Sequence, residues 1–222
     1  MARRASRRRP PAAPPAPVGE TLDRLEAAYG DAGCSLGHTS PLELLVATIL
    51  SAQCTDARVN LVTPEVFRSF PDAASLASAP RGALEKAIRT TGFFNAKAKA
   101  IRGATRAIVE KHGGEVPRTM DALLALPGVG RKTANVVLGT AFAAPDGVVV
   151  DTHVGRLARR LGWSAETDPG NVERDLNAAI PRDRWVWVGH ALILHGRRVC
   201  SARKPRCAGC TLADLCPKRG VV

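Results

Sequence analysis

The chain has 222 residues, 45% hydrophobic and 23% charged, which is enough to bury a sizeable core as one domain or two small ones. No apolar run reaches the length of a membrane span, and the N-terminus lacks the apolar stretch of a secretory signal, so membrane and secreted classes are set aside in favour of the cytoplasm. A net charge of +12 points to a polyanionic partner, most often nucleic acid, with a merely soluble basic surface as the bland alternative.

Residues 1–19 are rich in Arg, Pro and Ala, with five arginines (Arg3, Arg4, Arg7, Arg8, Arg9) and no acid before residue 18. This composition mimics an organelle transit peptide, but its proline content favours a disordered basic arm. From there the pattern is helical almost throughout. Leu22, Leu25 and Tyr29 share one helix face. Ser40–Glu43 reads as a capping box with proline at the first helical position, opening a buried helix over Leu44–Leu50. Thr55 caps the next helix, which Pro64 is expected to break or kink.

Leu84 and Ile88 mark another helix, and Ile101, Thr105, Ile108 and Val109 one that stops at Gly113-Gly114. A short helix over 121–126 ends at Pro127, and a further helix follows from Lys132 to Phe142. Asp151 caps a helix bearing Val154, Leu157 and Leu161 that closes on Arg159, Arg160 and Gly162. Asp168 caps one with Val172, Leu176 and Ile180, and Trp185, Val188, Leu192 and Ile193 lie on the last long helix. The only β-branched run, Val148–Val150, is too short for a sheet, so the predicted class is all-α.

Six cysteines without a secretory signal point to a reducing compartment. Cys200, Cys207, Cys210 and Cys216 are spaced C-x6-C-x2-C-x5-C, and four thiolates within 17 residues can close around one tetrahedral metal or one iron–sulfur cube. Structural zinc more often uses two C-x2-C knuckles and here there is one, so the spacing leans modestly to iron–sulfur, with zinc the competitor. Four thiolate ligands leave no coordination site for water, which favours a structural role. Arg203, Lys204 and Arg206 are then presented on a loop that can meet phosphates, or they simply offset the thiolate charge. Cys34 and Cys54 read as small core residues.

In "LPGVGRKTANVV", Gly128 and Gly130 lie between two helices, so successive N–H groups and the following helix N-terminus make an anion site. A P-loop needs glycine immediately before its lysine, and Arg131 stands there; a dinucleotide loop needs a third glycine where Thr133 stands. Lys132 falls in the first helical turn, where the dipole disfavours a cation. Partial burial there would favour the neutral amine, able to attack carbon. A solvated phosphate hook has equal standing on physics alone. The partner acid is Asp151, whose commoner role is a helix N-cap. The two roles are compatible, because a second carboxylate oxygen remains.

Together "LPGVGRKTANVV", "VDTHVGRL", "SAQCTD", "LHGRRVC" and the cysteine spacing resemble endonuclease III, the helix-hairpin-helix DNA glycosylase family with a [4Fe–4S] cluster loop. The resemblance runs from about Leu22 to Cys216. It implies a six-helix barrel domain over 35–146, with the hairpin at about 121–140. It further implies a cluster domain made of 20–34 and 147–222, with the [4Fe–4S] loop at 200–216. A DNA cleft lies between the two.

Lys132 and Asp151 match the family's catalytic pair. What the resemblance implies is excision of oxidised pyrimidines from double-stranded DNA, followed by cleavage 3′ of the abasic sugar through a lysine Schiff base, by a monomer. Gln53 matches the residue that fills the gap left by a flipped base, and Phe93 the apolar wedge, where some members carry Leu. Without the family, Gln53 reads as a polar helix end and Phe93 as core. Lys97 and Lys99 are expected at phosphates or in solvent, and His153 and His195 as structural. The adenine glycosylases of the superfamily lack this lysine and add a C-terminal domain. The remaining alternative is a non-catalytic or monofunctional DNA-binding protein that keeps hairpin and cluster.

Overall fold

The computed structural model describes residues 13–221. The protein is all-α, with no strand among the described residues. Helix α1 (Val18–Tyr29) is followed by α2 (Pro41–Leu50), α3 (Asp56–Ser69), α4 (Ala73–Ala77), α5 (Ala83–Ala87) and α6 (Phe94–His112). Then come α7 (Met120–Leu124), α8 (Arg131–Phe142), α9 (Thr152–Leu161), α10 (Pro169–Ala179) and α11 (Trp185–Arg198).

The boundaries follow local chemistry. Thr55, Thr119, Asp151 and Asp168 each accept a backbone N–H in the first turn of the helix they cap. At α2 the predicted box is shifted by one residue: Ser40 accepts from Glu43 N, while Glu43 Oε2 accepts from Thr39 N rather than from Ser40. Left-handed Gly113 and Gly162 end α6 and α9.

Two hydrophobic cores organise these helices. The first gathers residues of α2 to α8, among them Leu44, Leu50, Val59, Leu76, Leu84, Ile101, Ile108, Leu123 and Val137. The second joins Leu22, Leu25 and Tyr29 of α1 to Val154, Leu157, Val172, Leu176, Val188 and Leu192 of the last helices, with Leu212 beyond them. The N-terminal helix thus packs with the C-terminal ones, with α11 against it, and its apolar face joins their core.

Three expectations are corrected. Pro64 lies inside α3 and does not end it, because Val59, Val62 and Val66 are buried around it and tertiary packing outweighs one lost hydrogen bond. Val109 is exposed, off the face that buries Ile101, Thr105 and Ile108. The expected disordered arm over 1–19 is too long. Ala16 is buried, its N–H donates to Leu161 O and its carbonyl accepts from Trp163 Nε1, and Val18 and Gly19 already belong to α1. Residues 1–12 lie outside the described part.

Candidate active site and DNA-facing surface

The hairpin between α7 and α8 is set by close contact with α6. Gly128 has φ +77°, and a Cβ there would lie 2.5 Å from Ala100 Cβ, so any side chain would clash as well as strain the turn. Next to it, a Cβ on Gly103 would come within 2.9 Å of Pro127 Cβ. Gly130 differs: its backbone is extended (φ −99°, ψ 174°) with open space where a Cβ would stand. The turn does not demand a glycine there. Gly130 caps α8 without any side-chain bond to the first-turn N–H groups, so that helix N-terminus is open to an anion.

Lys132 stands exposed in that first turn. The partial burial expected of it is absent, and the side chain reaches solvent. Its surroundings come from two clefts. One, of about 620 Å³, is lined by Lys132 and Asp151 with Asp56, Arg197, Cys34 and His190. The other, of about 880 Å³, is lined by Lys132 and Asp151 with Thr152, Gly155 and Arg159.

Asp151 Oδ1 accepts from both His153 N and Val154 N at 2.8 Å, which fixes the carboxylate as the cap of α9. Both capping bonds use that one oxygen, so Oδ2 lies outside the cap. Lys132 and Asp151 thus line the same two clefts, each at the start of its helix.

Two further groups shape this site and escaped sequence reading. Asp56 Oδ2 accepts from Ser35 Oγ (2.6 Å) and Arg197 Nη1 (2.9 Å). Burial pushes its carboxyl up, but the bonds from Ser35 and Arg197, with Lys132 nearby, outweigh this and hold it below the ordinary carboxylate value. Glu173, buried on α10, accepts from Arg131 Nε and Nη2 (both 2.8 Å) and from Asn135 Nδ2 (3.0 Å). It thus clamps the two sides of Lys132's helical turn. Cys34 is half-buried against the first core as expected, yet it also lines the smaller cleft.

Gln53 and Phe93 share a backbone feature found also at Ala143 and Lys218. Both are exposed, and both are non-glycine residues in the left-handed region, at φ 52° and φ 46°. Such strain concentrates at functional positions. Phe93 is 67% exposed, so the reading as core is excluded.

Lys97 overturns its expectation. It is buried, and its Nζ donates to Leu50 O at the end of α2 and to Thr91 O just before Phe93, both at 2.8 Å. Burial lowers its pKa. It ties together the two turns that carry Gln53 and Phe93. Lys99 is exposed, as expected.

The four C-terminal cysteines line one cavity, about 440 Å³ of atom-free space, with His195, Arg160 and Leu212 also on its wall. No three His, Cys, Asp or Glu side chains among the described residues are gathered closely enough to hold a single ion. All four thiols nonetheless face this one cavity. N–H groups point at the sulfurs: Arg160 Nη1 lies 3.1 Å from Cys200 Sγ, Leu212 N 3.4 Å from Cys210 Sγ and Lys218 N 3.4 Å from Cys216 Sγ. Such donors stabilise metal-bound thiolates.

His195 is structural as expected. Burial lowers its pKa to about 4, so it is neutral between Tyr29 Oη (3.2 Å) and Cys210 Sγ (3.4 Å). Arg160 lies in the last turn of α9 as expected, but it is buried there and donates to Ser201 O and Ala202 O as well. Arg203 and Lys204 are exposed on the cysteine loop, while Arg206 turns back to Arg198 O.

Comparison with known proteins bears on this arrangement. Residues 46–182 match the HhH-GPD superfamily of base excision DNA repair proteins. The chain is 56% identical to an endonuclease III of Synechocystis over 198 residues, covering 89% of this chain and 90% of that protein. It is 43% identical to the Escherichia coli K12 endonuclease III, covering 89% and 93%. It also superposes with a TM-score of 0.85 on a trapped endonuclease III–DNA covalent intermediate, 42% identical, over 90% of this chain and 93% of that one. The chain belongs to the endonuclease III family of the HhH-GPD superfamily of base excision DNA repair proteins.

Proposed function

We propose that this protein, a DNA glycosylase and abasic-site lyase by family, removes oxidised pyrimidines from duplex DNA and cuts the strand with Lys132 as its nucleophile. The observation that carries the reading is the meeting of Lys132 and the rigidly capped Asp151 in the same two clefts beside an open helix N-terminus. A relative trapped as a covalent DNA intermediate supports covalent chemistry in this fold.

The hairpin amides around Gly128 and Gly130 grip backbone phosphate, so Lys132 is not needed as a hook. A damaged pyrimidine leaves the stack and enters the cleft, with Gln53 filling the gap and Phe93 wedging the opposite side. Asp151 takes a proton from the lysine ammonium and offsets positive charge on the sugar. The amine attacks C1′, the C1′–N bond breaks and the base departs with a proton. Ring opening gives the Schiff base. Loss of a C2′ proton then expels the 3′ phosphate, cutting the strand 3′ of the sugar.

Cys200, Cys207, Cys210 and Cys216 would hold a [4Fe–4S] cluster, which supplies a rigid covalent hub for the loop. That hub presents Arg203 and Lys204 to phosphates. The two cores correspond in this reading to a barrel domain over 35–146 and a cluster domain of 20–34 with 147–222. The enzyme works as a monomer on the chromosome, in the cytoplasm; no helix among the described residues is long and apolar enough to cross a membrane.

The test is an incision assay over a panel of lesion-bearing duplexes. Oxidised pyrimidines and abasic sites should be cut by wild type and not by Lys132→Ala. Equal cutting by both proteins would overturn the assignment.

A further inference from the structure

A wide groove lies apart from the Lys132 clefts. It encloses about 1740 Å³ of open space between α5, α6 and the hairpin. Its α6 wall is one helix face: Ala96, Lys99, Ala100, Gly103 and Arg106 recur at three- and four-residue steps. Lys99 and Arg106 stand exposed along it, about 10 Å apart along the helix at 1.5 Å per residue. Arg81 is exposed on the opposite wall.

The only acid lining this groove is Glu85, and it is already occupied. It pairs with Arg102 and accepts from Gly82 N, so its charge is matched within the wall. The groove therefore keeps three cations that no ion pair among the described residues neutralises.

Its floor is made of small residues. Ala96, Ala100 and Gly103 offer no pocket for a large apolar side chain, which disfavours a folded peptide and suits a thin polyanion. The groove also has direction. It begins two residues after Phe93, at Asn95, and reaches Pro127 and Gly128 of the hairpin, where α6 and the hairpin touch.

We propose that this groove is a second DNA-backbone site, in which Lys99, Arg106 and Arg81 hold phosphates beyond those gripped by the hairpin amides. The inference rests on the DNA-repair reading above and extends its footprint along α6. These contacts are electrostatic and sequence-independent, so they strengthen binding to damaged and undamaged duplex alike and leave the chemistry at Lys132 untouched.

The test is binding of wild type and of Lys99→Ala/Arg106→Ala to a duplex carrying a stable abasic-site analogue, across a range of salt concentrations. Both side chains are exposed, and a matching thermal melt verifies folding. Arg174→Ala, on an exposed face of α10, is the control.

Losing two phosphate contacts lowers the slope of log K against log salt by roughly 2, equally on undamaged duplex. Single-turnover cleavage at saturating enzyme stays at the wild-type rate. A slope equal to that of wild type, or a loss confined to damaged DNA, would overturn the groove while leaving the family reading intact. Failure of wild type itself to bind duplex would overturn that underlying reading instead.

Discussion

Glu173 receives both Arg131 Nε and Arg131 Nη2 at 2.8 Å, joining the first residue of α8 to the middle of α10. The bond to Glu173 is the main reason the Arg131 guanidinium holds its proton more tightly than usual. Asn135 Nδ2 meets the same carboxylate one turn later. Lys132 lies between these two anchors, so its position depends on a carboxylate from the other core. Glu173→Gln should lower unfolding free energy by about 1–3 kcal/mol, since a buried charge-assisted network is broken while Arg131 stays half-exposed. Lyase kcat should fall more than KM rises. Denaturant titration and steady-state kinetics check this; unchanged kcat in a destabilised variant would reduce Glu173 to a merely structural role.

Lys97 predicts a separable defect. Its Nζ satisfies Leu50 O and Thr91 O, and Lys97→Met leaves both carbonyls without that donor, at a cost of about 2–4 kcal/mol. The turns bearing Gln53 and Phe93 then lose their common tie. Base excision, which needs the flipped state, should slow severalfold more than strand cleavage at a preformed abasic site, which needs less of it. Parallel assays on the two substrates measure the ratio, and an equal loss on both would contradict the role.

The cysteine cavity predicts metal content. Purified under exclusion of air, wild type should carry iron and acid-labile sulfide, while Cys210→Ser should lose both and the order of the loop that bears Arg203 and Lys204. Metal analysis and visible absorbance check it. One equivalent of zinc in a colourless protein would contradict the cluster.

Asp56 gives a pH dependence. Its folded pKa lies below the ordinary 3.8, so its contribution is complete above that value and is lost as pH falls through the folded one. Asp56→Asn should therefore cost about 1 kcal/mol at pH 7, and the gap from wild type should close in acid. Melting curves over pH check this; a gap that widened in acid would reverse the sign.

Much of this was legible because it is local. The caps Thr55, Asp151 and Asp168 act within three residues of themselves, and the apolar faces of α1, α9 and α10 repeat at helical spacing. Lys132, Asp151 and the four cysteines stood out by motif. What sequence missed depends on distant partners. Lys97 reads as a surface lysine until Leu50 and Thr91 are placed beside it. Ala16 reads as part of a tail until Trp163 and Leu161 cover it. Pro64 reads as a breaker because the valines that hold α3 together are satisfied only by other helices. Arg160 reads as a C-terminal charge until the cysteine loop folds over it. The strain at Gln53 and Phe93 has no local sign, since neither is glycine.

The central claim is that Lys132 forms the covalent bond to the sugar. Reduction with borohydride during reaction on abasic-site duplex tests it directly, read as a protein–DNA adduct and localised by peptide mass. An adduct on Lys132 is expected for wild type and for Arg174→Ala, and none for Lys132→Ala although that variant still binds the duplex. An adduct of undiminished yield in Lys132→Ala, or one mapped to another residue of wild type, would contradict it.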